Sequence, residues 1–247
     1  MSLPSLLVFL LLTMIGAPPH SQNPAAEPEP KVSDPNAIVP SVEQVERQNP
    51  ALTHPYEMVR KYKAFGANDS HPISELTAKV GFAPPDKRTF TITQMSGNAR
   101  GEKIIRTMLE QETQLATAGR NEDISRANYD FVFLRQENFA GVPEYVLHIV
   151  PKRKQKNLLL GQIWVDAKTL HIQRIEGVPV QNPSIWIKNV HVTLQFGDVN
   201  GMWLPISFDA IATVHFAGRY SLTGLYAGLP SPTTTLTPQQ SAGGGPA

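Results

Sequence analysis

An α+β fold is predicted by three features: late strands that alternate apolar and polar residues, short connections between them, and one clearly amphipathic helix upstream. In the late ribbon Leu204, Ile206, Phe208, Ala210, Ala212, Val214 and Phe216 alternate with Pro205, Ser207, Asp209, Thr213 and His215. One side of that ribbon is therefore apolar and the other polar, the signature of a sheet with one face buried. The helix shows a different period, with Ile104, Ile105, Met108, Leu109, Leu115 and Ala116 at helical spacing. Glu112 interrupts that stripe, and Gly119 is its expected stop.

The elements follow in order. Residues 6–17 form an uninterrupted apolar run too short to span a bilayer comfortably, and residues 1–22 are expected to be a signal peptide. An uncleaved N-terminal anchor is the alternative. Residues 23–40 are rich in proline and read as an extended linker, and residues 229–247 read as a disordered tail. The domain is expected to occupy residues 41–228, enough for a single core. Ser41-Val42-Glu43-Gln44 has capping-box spacing and predicts a short helix through Asn49, limited by Pro50. Tyr56 to Phe65 is read as a second helical stretch. Strands are expected over Glu75–Phe82 and Lys87–Met95, where Phe90 and Ile92 share a face. The long helix is expected over Gly101–Ala118.

From Tyr129 onward the pattern is sheet. Strands are expected over Tyr129–Gln136, Glu144–Pro151, Leu158–Asp166, Leu170–Glu176, Ile185–Phe196, Trp203–Phe216 and Tyr220–Tyr226. Their short connections make them antiparallel neighbours. Asp166 is the former of a four-residue turn, which pairs Val165 with Leu170 and Ile163 with Ile172. For the last long hairpin, a three-residue loop Val199-Asn200-Gly201 pairs Phe196 with Leu204, Leu194 with Ile206 and Val192 with Phe208. A two-residue Asn200-Gly201 turn would pair Phe196 with Pro205 and set the apolar residues on opposite faces. About nine strands and so few helices imply a sheet that curls.

Composition excludes several classes. There is no cysteine, hence no disulfide framework and no thiol for a lipid anchor. The net charge of +1 gives no support to nucleic-acid binding. No Gly-x-Ser-x-Gly and no His-Glu-x-x-His occurs. The seven histidines include no His-x-His and no helical i, i+4 pair, so no metal site and no cofactor is expected. Asn68-Asp69-Ser70 is a glycosylation triplet, uninformative if the source is bacterial. These features point to an exported bacterial protein that relies on core burial alone.

Four segments carry a resemblance. They are Tyr145-Val146-Leu147 with Pro151-Lys152-Arg153-Lys154; Gly161-Gln162-Ile163-Trp164-Val165-Asp166; Arg174-Ile175-Glu176-Gly177; and Gly197-Asp198-Val199-Asn200-Gly201-Met202-Trp203-Leu204-Pro205. In order and spacing, from about residue 89 to 226, the chain resembles the LolA/LolB-like superfamily of periplasmic lipoprotein carriers, in an exported subgroup distinct from the true carriers. The resemblance implies a strongly curved, unclosed antiparallel β-barrel, a half-barrel with helices packed into its concave side. It also implies an apolar cavity that receives an acyl chain. The carriers' arginine that controls closure matches no position here, so no functional residue is carried over from the family.

The residues expected to line such a cavity are Ile104, Met108, Leu109, Val192, Leu194, Phe196, Leu204, Ile206, Phe208 and Val214. Ordinary core filling is the competing reading for the same set. Lys152, Arg153, Lys154 and Lys156 could touch anionic headgroups during transient contact with a membrane surface, or form a solvated hairpin turn. His191 and Asp209 face each other in the register above, with Thr193 opposite Ser207, and read as a solvent-facing cross-strand pair rather than a catalytic one. The expected function is that of a monomeric, non-enzymatic periplasmic carrier of a lipid or lipoprotein acyl chain. The alternatives are a sensor that binds an envelope protein on the same scaffold, and an enzyme.

Overall fold

The structure, a computed structural model, describes residues 34–67, 70–85, 87–117, 123–155, 158–182, 187–215 and 218–228. The expected signal peptide and tail, Gly119, Lys156, the Asn68-Asp69 pair and residues 183–186 lie outside the described residues. Among the described residues two α-helices, α1 (Pro35–Gln48) and α2 (Ala99–Thr117), accompany ten strands. The strands are β1 (Tyr56–Phe65), β2 (Ser74–Ala83), β3 (Lys87–Gly97), β4 (Tyr129–Phe139), β5 (Val142–Pro151), β6 (Leu159–Asp166), β7 (Ile172–Pro179), β8 (Ile187–Val199), β9 (Met202–Val214) and β10 (Gly218–Gly228). All ladders are antiparallel in one sheet of order β3-β2-β1-β10-β9-β8-β7-β6-β5-β4. Among the described residues the sheet is not closed: β3 and β4 are its edges. This is the α+β, unclosed antiparallel architecture that the sequence predicts. Among the described residues no helix is long and apolar enough to cross a membrane.

Helix α1 begins earlier than the capping box suggests, so residues 35–40 are helix rather than linker. Asp34 is the N-cap, its carboxylate accepting from the Asn36 N–H at 2.9 Å, and Pro35 occupies the first helical turn where its missing N–H costs nothing. Pro40 lies inside the helix and forfeits one backbone bond there. Ile38, Val39 and Val42 are buried and join Leu147, Ile149, Leu158, Ile163 and Val165 in one apolar cluster. Past the helix end, buried Asn49 holds the chain against β9. Its amide donates to the Trp203 carbonyl at 2.7 Å, and its oxygen accepts from the Trp203 N–H at 3.1 Å.

The segment Tyr56–Phe65 is strand, not helix. Met58, Tyr62 and Ala64 are buried at period two, and the strand pairs on both sides with β2 and β10. Arg60 stands where the next inward apolar residue would be, which hides the alternation in the sequence. Helix α2 forms as expected. The Asn98 carbonyl accepts from the Glu102 N–H at 3.1 Å and its side chain from the Gly101 N–H at 2.9 Å, so Asn98 caps it. Ile105 and Leu109 enter a second cluster with Met58, Tyr62, Leu76, Ala78, Val80 and Leu204.

Two hairpin registers differ from the expectation. Between β8 and β9 the turn has two residues, with positive φ at both Asn200 (55°) and Gly201 (78°), and Val199 faces Met202. That geometry matches the right-handed strand twist, and Asn and Gly tolerate it best. Phe196 does pair with Pro205, but the register then shifts by one residue so that Gln195 faces Ser207 and Leu194 faces Phe208. A bulge at Ile206 thus restores the apolar phase that the turn alone would lose. The same one-residue shift sets His191 opposite Ile211 and leaves Asp209 facing Thr193, and a second shift near Asn189 (φ 51°) places Lys188 opposite Thr213. The expected His191–Asp209 pair does not form. Between β6 and β7, Val165 faces Ile172 and Ile163 faces Ile175, with a register shift after Trp164. Asp166 does form the turn, accepting from the Lys168 and Thr169 N–H groups at 2.7 and 2.8 Å. The loop is longer than expected because Leu170, at φ 60°, belongs to it.

Candidate functional site

Side chains from β3 to β8 line a single cavity under α2: Arg88, Arg60, Tyr62, Tyr226, Phe208, Ile206 and Leu194, with Met108 and Glu112 from the helix. Laid flat, the six strands concerned would span about 24 Å at five spacings of about 4.8 Å. For all of them to meet one cavity of about 330 Å³, the sheet must wrap around the helix. That volume falls within the range of small-molecule sites. Helical geometry brings Met108 and Glu112 to one face, one turn apart. On β10, Gly224 faces Tyr62 in the ladder, and a Cβ there would come within 2.9 Å of the Tyr62 ring. The missing side chain lets the ring lie over the strand instead of projecting into the cavity.

The polar end of this cavity is built from residues that break apolar patterns. Arg60, whose side chain is 12% exposed, donates from Nη1 to the two Glu112 oxygens at 3.1 and 3.4 Å, and its Nε approaches the Met58 sulfur at 3.1 Å. Arg88 donates from Nη1 to Glu112 Oε1 at 3.0 Å. One carboxylate therefore serves two guanidinium groups. Burial works against the Arg60 charge, but its surroundings together, the Glu112 carboxylate foremost and Tyr62 and Tyr56 after it, more than offset that and hold the pKa above the ordinary arginine value. Burial raises the Tyr62 phenol, so it stays protonated, with Arg60 acting in the opposite direction. Among the described residues two buried donors in this cavity go unused: Arg88 Nε has no partner, and the Tyr62 hydroxyl proton has no acceptor.

A larger cleft, about 780 Å³, lies on the α1 side. Its wall combines Leu52, Ile124, Ile172, Ile175 and Phe196 with the charged Glu43, Glu46, Arg47, Asp123 and Arg126. Here Glu43 is matched by arginine, while Glu46 Oε1 is buried without a partner among the described residues. The Arg126 Nη2 and Glu43 Oε2 atoms lie 3.0 Å apart, and the Arg126 backbone N–H also donates to Glu43. Burial pushes the Glu43 carboxyl up, yet the Arg126 hydrogen bonds outweigh it and the pKa lies below the ordinary 4.5. One turn later Glu46 is raised, because burial dominates; the Ile172 N–H offsets part of this and Asp123 adds to it.

The residues expected to line a cavity divide among several places. Met108, Leu194, Ile206 and Phe208 line the α2 cavity, while Phe196 lines the α1 cleft. Leu109 and Leu204 are fully packed in the second cluster, with Ile104 half-buried against it. Val192 and Val214 are half-buried and are not among the residues of either cluster. In the basic segment, Lys152 Nζ donates to the Arg126 carbonyl at 2.6 Å and Arg153 Nη1 to Asn128 Oδ1 at 2.7 Å. Both tie β5 to the chain entering β4, and Lys154 is exposed. Among the described residues no group of three His, Asp or Glu side chains is placed to hold a metal. Sequence reasoning missed Arg60 and Arg88 and registered Glu112 only as an interruption. A charged residue at an inward position of an otherwise apolar pattern was the signal available for Glu112 and Arg60.

No family model and no curated protein matches the chain. Similar solved structures include a domain described as outer membrane lipoprotein-sorting from Vibrio parahaemolyticus, 13% identical at a TM-score of 0.46, covering 81% of this chain and 94% of that one. A DUF1329 family protein from Desulfovibrio piger is 12% identical at 0.41, covering 80% and 92%. A LolA superfamily protein from Nitrosomonas europaea is 12% identical at 0.39, covering 78% and 94%.

Proposed function

We propose that this chain is a non-enzymatic carrier of the bacterial cell envelope that takes an acyl chain into the cavity between α2 and the concave sheet. The observation that carries this reading is the cavity wall itself. Met108, Leu194, Ile206, Phe208 and Tyr226 come together there yet remain only partly buried, each with apolar surface left facing open space. Filling that space with a hydrocarbon chain removes apolar surface from water on both sides, at about 25 cal/mol per Å². Each methylene buried adds about 0.8 kcal/mol. Met108 suits this role because its flexible thioether adapts to chains of different shape. Release then requires α2 to move relative to β8–β10. The exported location follows from the apolar N-terminal run, and transient contact with anionic lipid headgroups is assigned to Lys152, Arg153, Lys154 and Lys156.

The test is lipid extraction and mass spectrometry of the protein purified from its native envelope. Stoichiometric bound lipid is expected; lipid-free protein that also fails to take up fatty acid would refute the reading. A second reading, a sensor that binds an envelope protein, is favoured by one observation. The edge strand β4 presents Val132, Leu134 and Phe139 at 50%, 43% and 63% exposure. An exposed apolar edge strand suits addition of a partner's strand. A stoichiometric co-purifying protein in place of lipid would select it.

A further inference from the structure

We infer that the α2 cavity selects a single-chain amphiphile with an anionic oxygen head, a carboxylate or a phosphate, seated on Arg60, Arg88 and Tyr62. This rests on the carrier reading and adds the head-group chemistry to it. The charged side chains that line the cavity are two arginines and one glutamate. Glu112 is already shared between both guanidinium groups, at 3.1 Å from Arg60 and 3.0 Å from Arg88. The site is therefore one negative charge short.

The donors that remain say where that charge would sit. Arg88 Nε is a buried N–H with no partner, and the Tyr62 hydroxyl can accept from an arginine but finds nothing to donate to. Buried donors without acceptors are costly, and charge-assisted bonds to an anion are about twice as strong as neutral ones. The same cavity holds the apolar wall of Met108, Leu194, Ile206 and Phe208. An oxyanion satisfies the donors while its chain covers the wall. A neutral ester or alcohol satisfies only the wall.

The test uses the delipidated full chain loaded with cis-parinaric acid. Displacement is followed with palmitate, methyl palmitate and hexadecyl phosphate, which share chain length and differ in the head. Palmitate is expected to displace the probe at a concentration about ten-fold lower than methyl palmitate, the scale of one charge-assisted hydrogen bond. Arg88→Met should erase most of that advantage, read as the ratio of the palmitate to the methyl palmitate concentration needed for displacement. Tyr62→Phe, which keeps the ring against Gly224 and removes only the hydroxyl, should narrow it as well. A still lower requirement for hexadecyl phosphate supports the anionic head and assigns it to a phosphorylated lipid. Equal displacement by palmitate and its ester overturns the head-group inference and leaves the carrier standing. Failure of the probe and of every competitor to bind overturns both.

Discussion

The two halves of the sheet solve the problem of charge near an apolar face in opposite ways. On the α1 side the larger cleft, about 780 Å³, sets three acids against two arginines, with Glu43 and Arg126 locked together and Glu46 Oε1 buried without a partner among the described residues. On the α2 side the smaller cavity, about 330 Å³, is mainly apolar and keeps a surplus cation and two idle donors. Chemistry left incomplete by the protein is the better guide to what a ligand must supply.

The largest effect expected from this contrast is on stability. Leu147, fully buried in the α1 half, should cost about 2–5 kcal/mol on substitution by alanine in urea denaturation. Phe208→Ala should cost less than the usual ~3–5 kcal/mol for a core phenylalanine, because one side of its ring already faces a cavity. Equal losses would mean that the two halves are equally filled.

Next comes affinity. Gly224→Ala places a methyl within 2.9 Å of the Tyr62 ring and should push that ring into the cavity. Fatty-acid binding should weaken about ten-fold, as expected for a misfit of one methyl group, with the fold retained by circular dichroism. Unchanged binding would place the ligand elsewhere.

A pH series sharpens the other half. Glu43 has a lowered folded pKa, so its contribution is present above about pH 4.5 and is lost as the pH falls through the folded value. Glu46 has a raised pKa, so stability declines as the pH rises from about 4.5 through that raised value. Thermal melts should therefore show Glu43→Gln less stable and Glu46→Gln more stable than the parent at neutral pH. Both differences should vanish in acid. The smallest effect concerns the basic segment: neutralising Lys152, Arg153, Lys154 and Lys156 should weaken binding to anionic vesicles by about 1 kcal/mol per residue that reaches the surface. No change in vesicle sedimentation would leave the segment a purely structural turn.

Most of the sheet could be read from the sequence because inward residues there are nearly all apolar. The strands from β2 onward and helix α2 show clean periods, and Asp166 announced its turn. Strand β1 did not, because Arg60 occupies an inward position and Lys61 and Lys63 flank it, which mimics a polar helix surface. The β8–β9 register failed for another reason. A bulge at Ile206 is decided by packing across strands, and a strict alternation argument has no place for the extra residue. The site was half visible: Met108, Leu194, Ile206 and Phe208 stand out by pattern. The cluster of Arg60, Arg88 and Glu112 joins three distant segments, and no local pattern links them.

The open seam between β3 and β4 has a mechanical consequence. Among the described residues no backbone ladder joins these two edges, so the outer walls can spread or approach while every existing rung stays intact. Hinge-like breathing of that kind demands only small changes of twist distributed over ten strands. A fully closed barrel of the same composition would have to tear a row of hydrogen bonds to let anything bulky in or out.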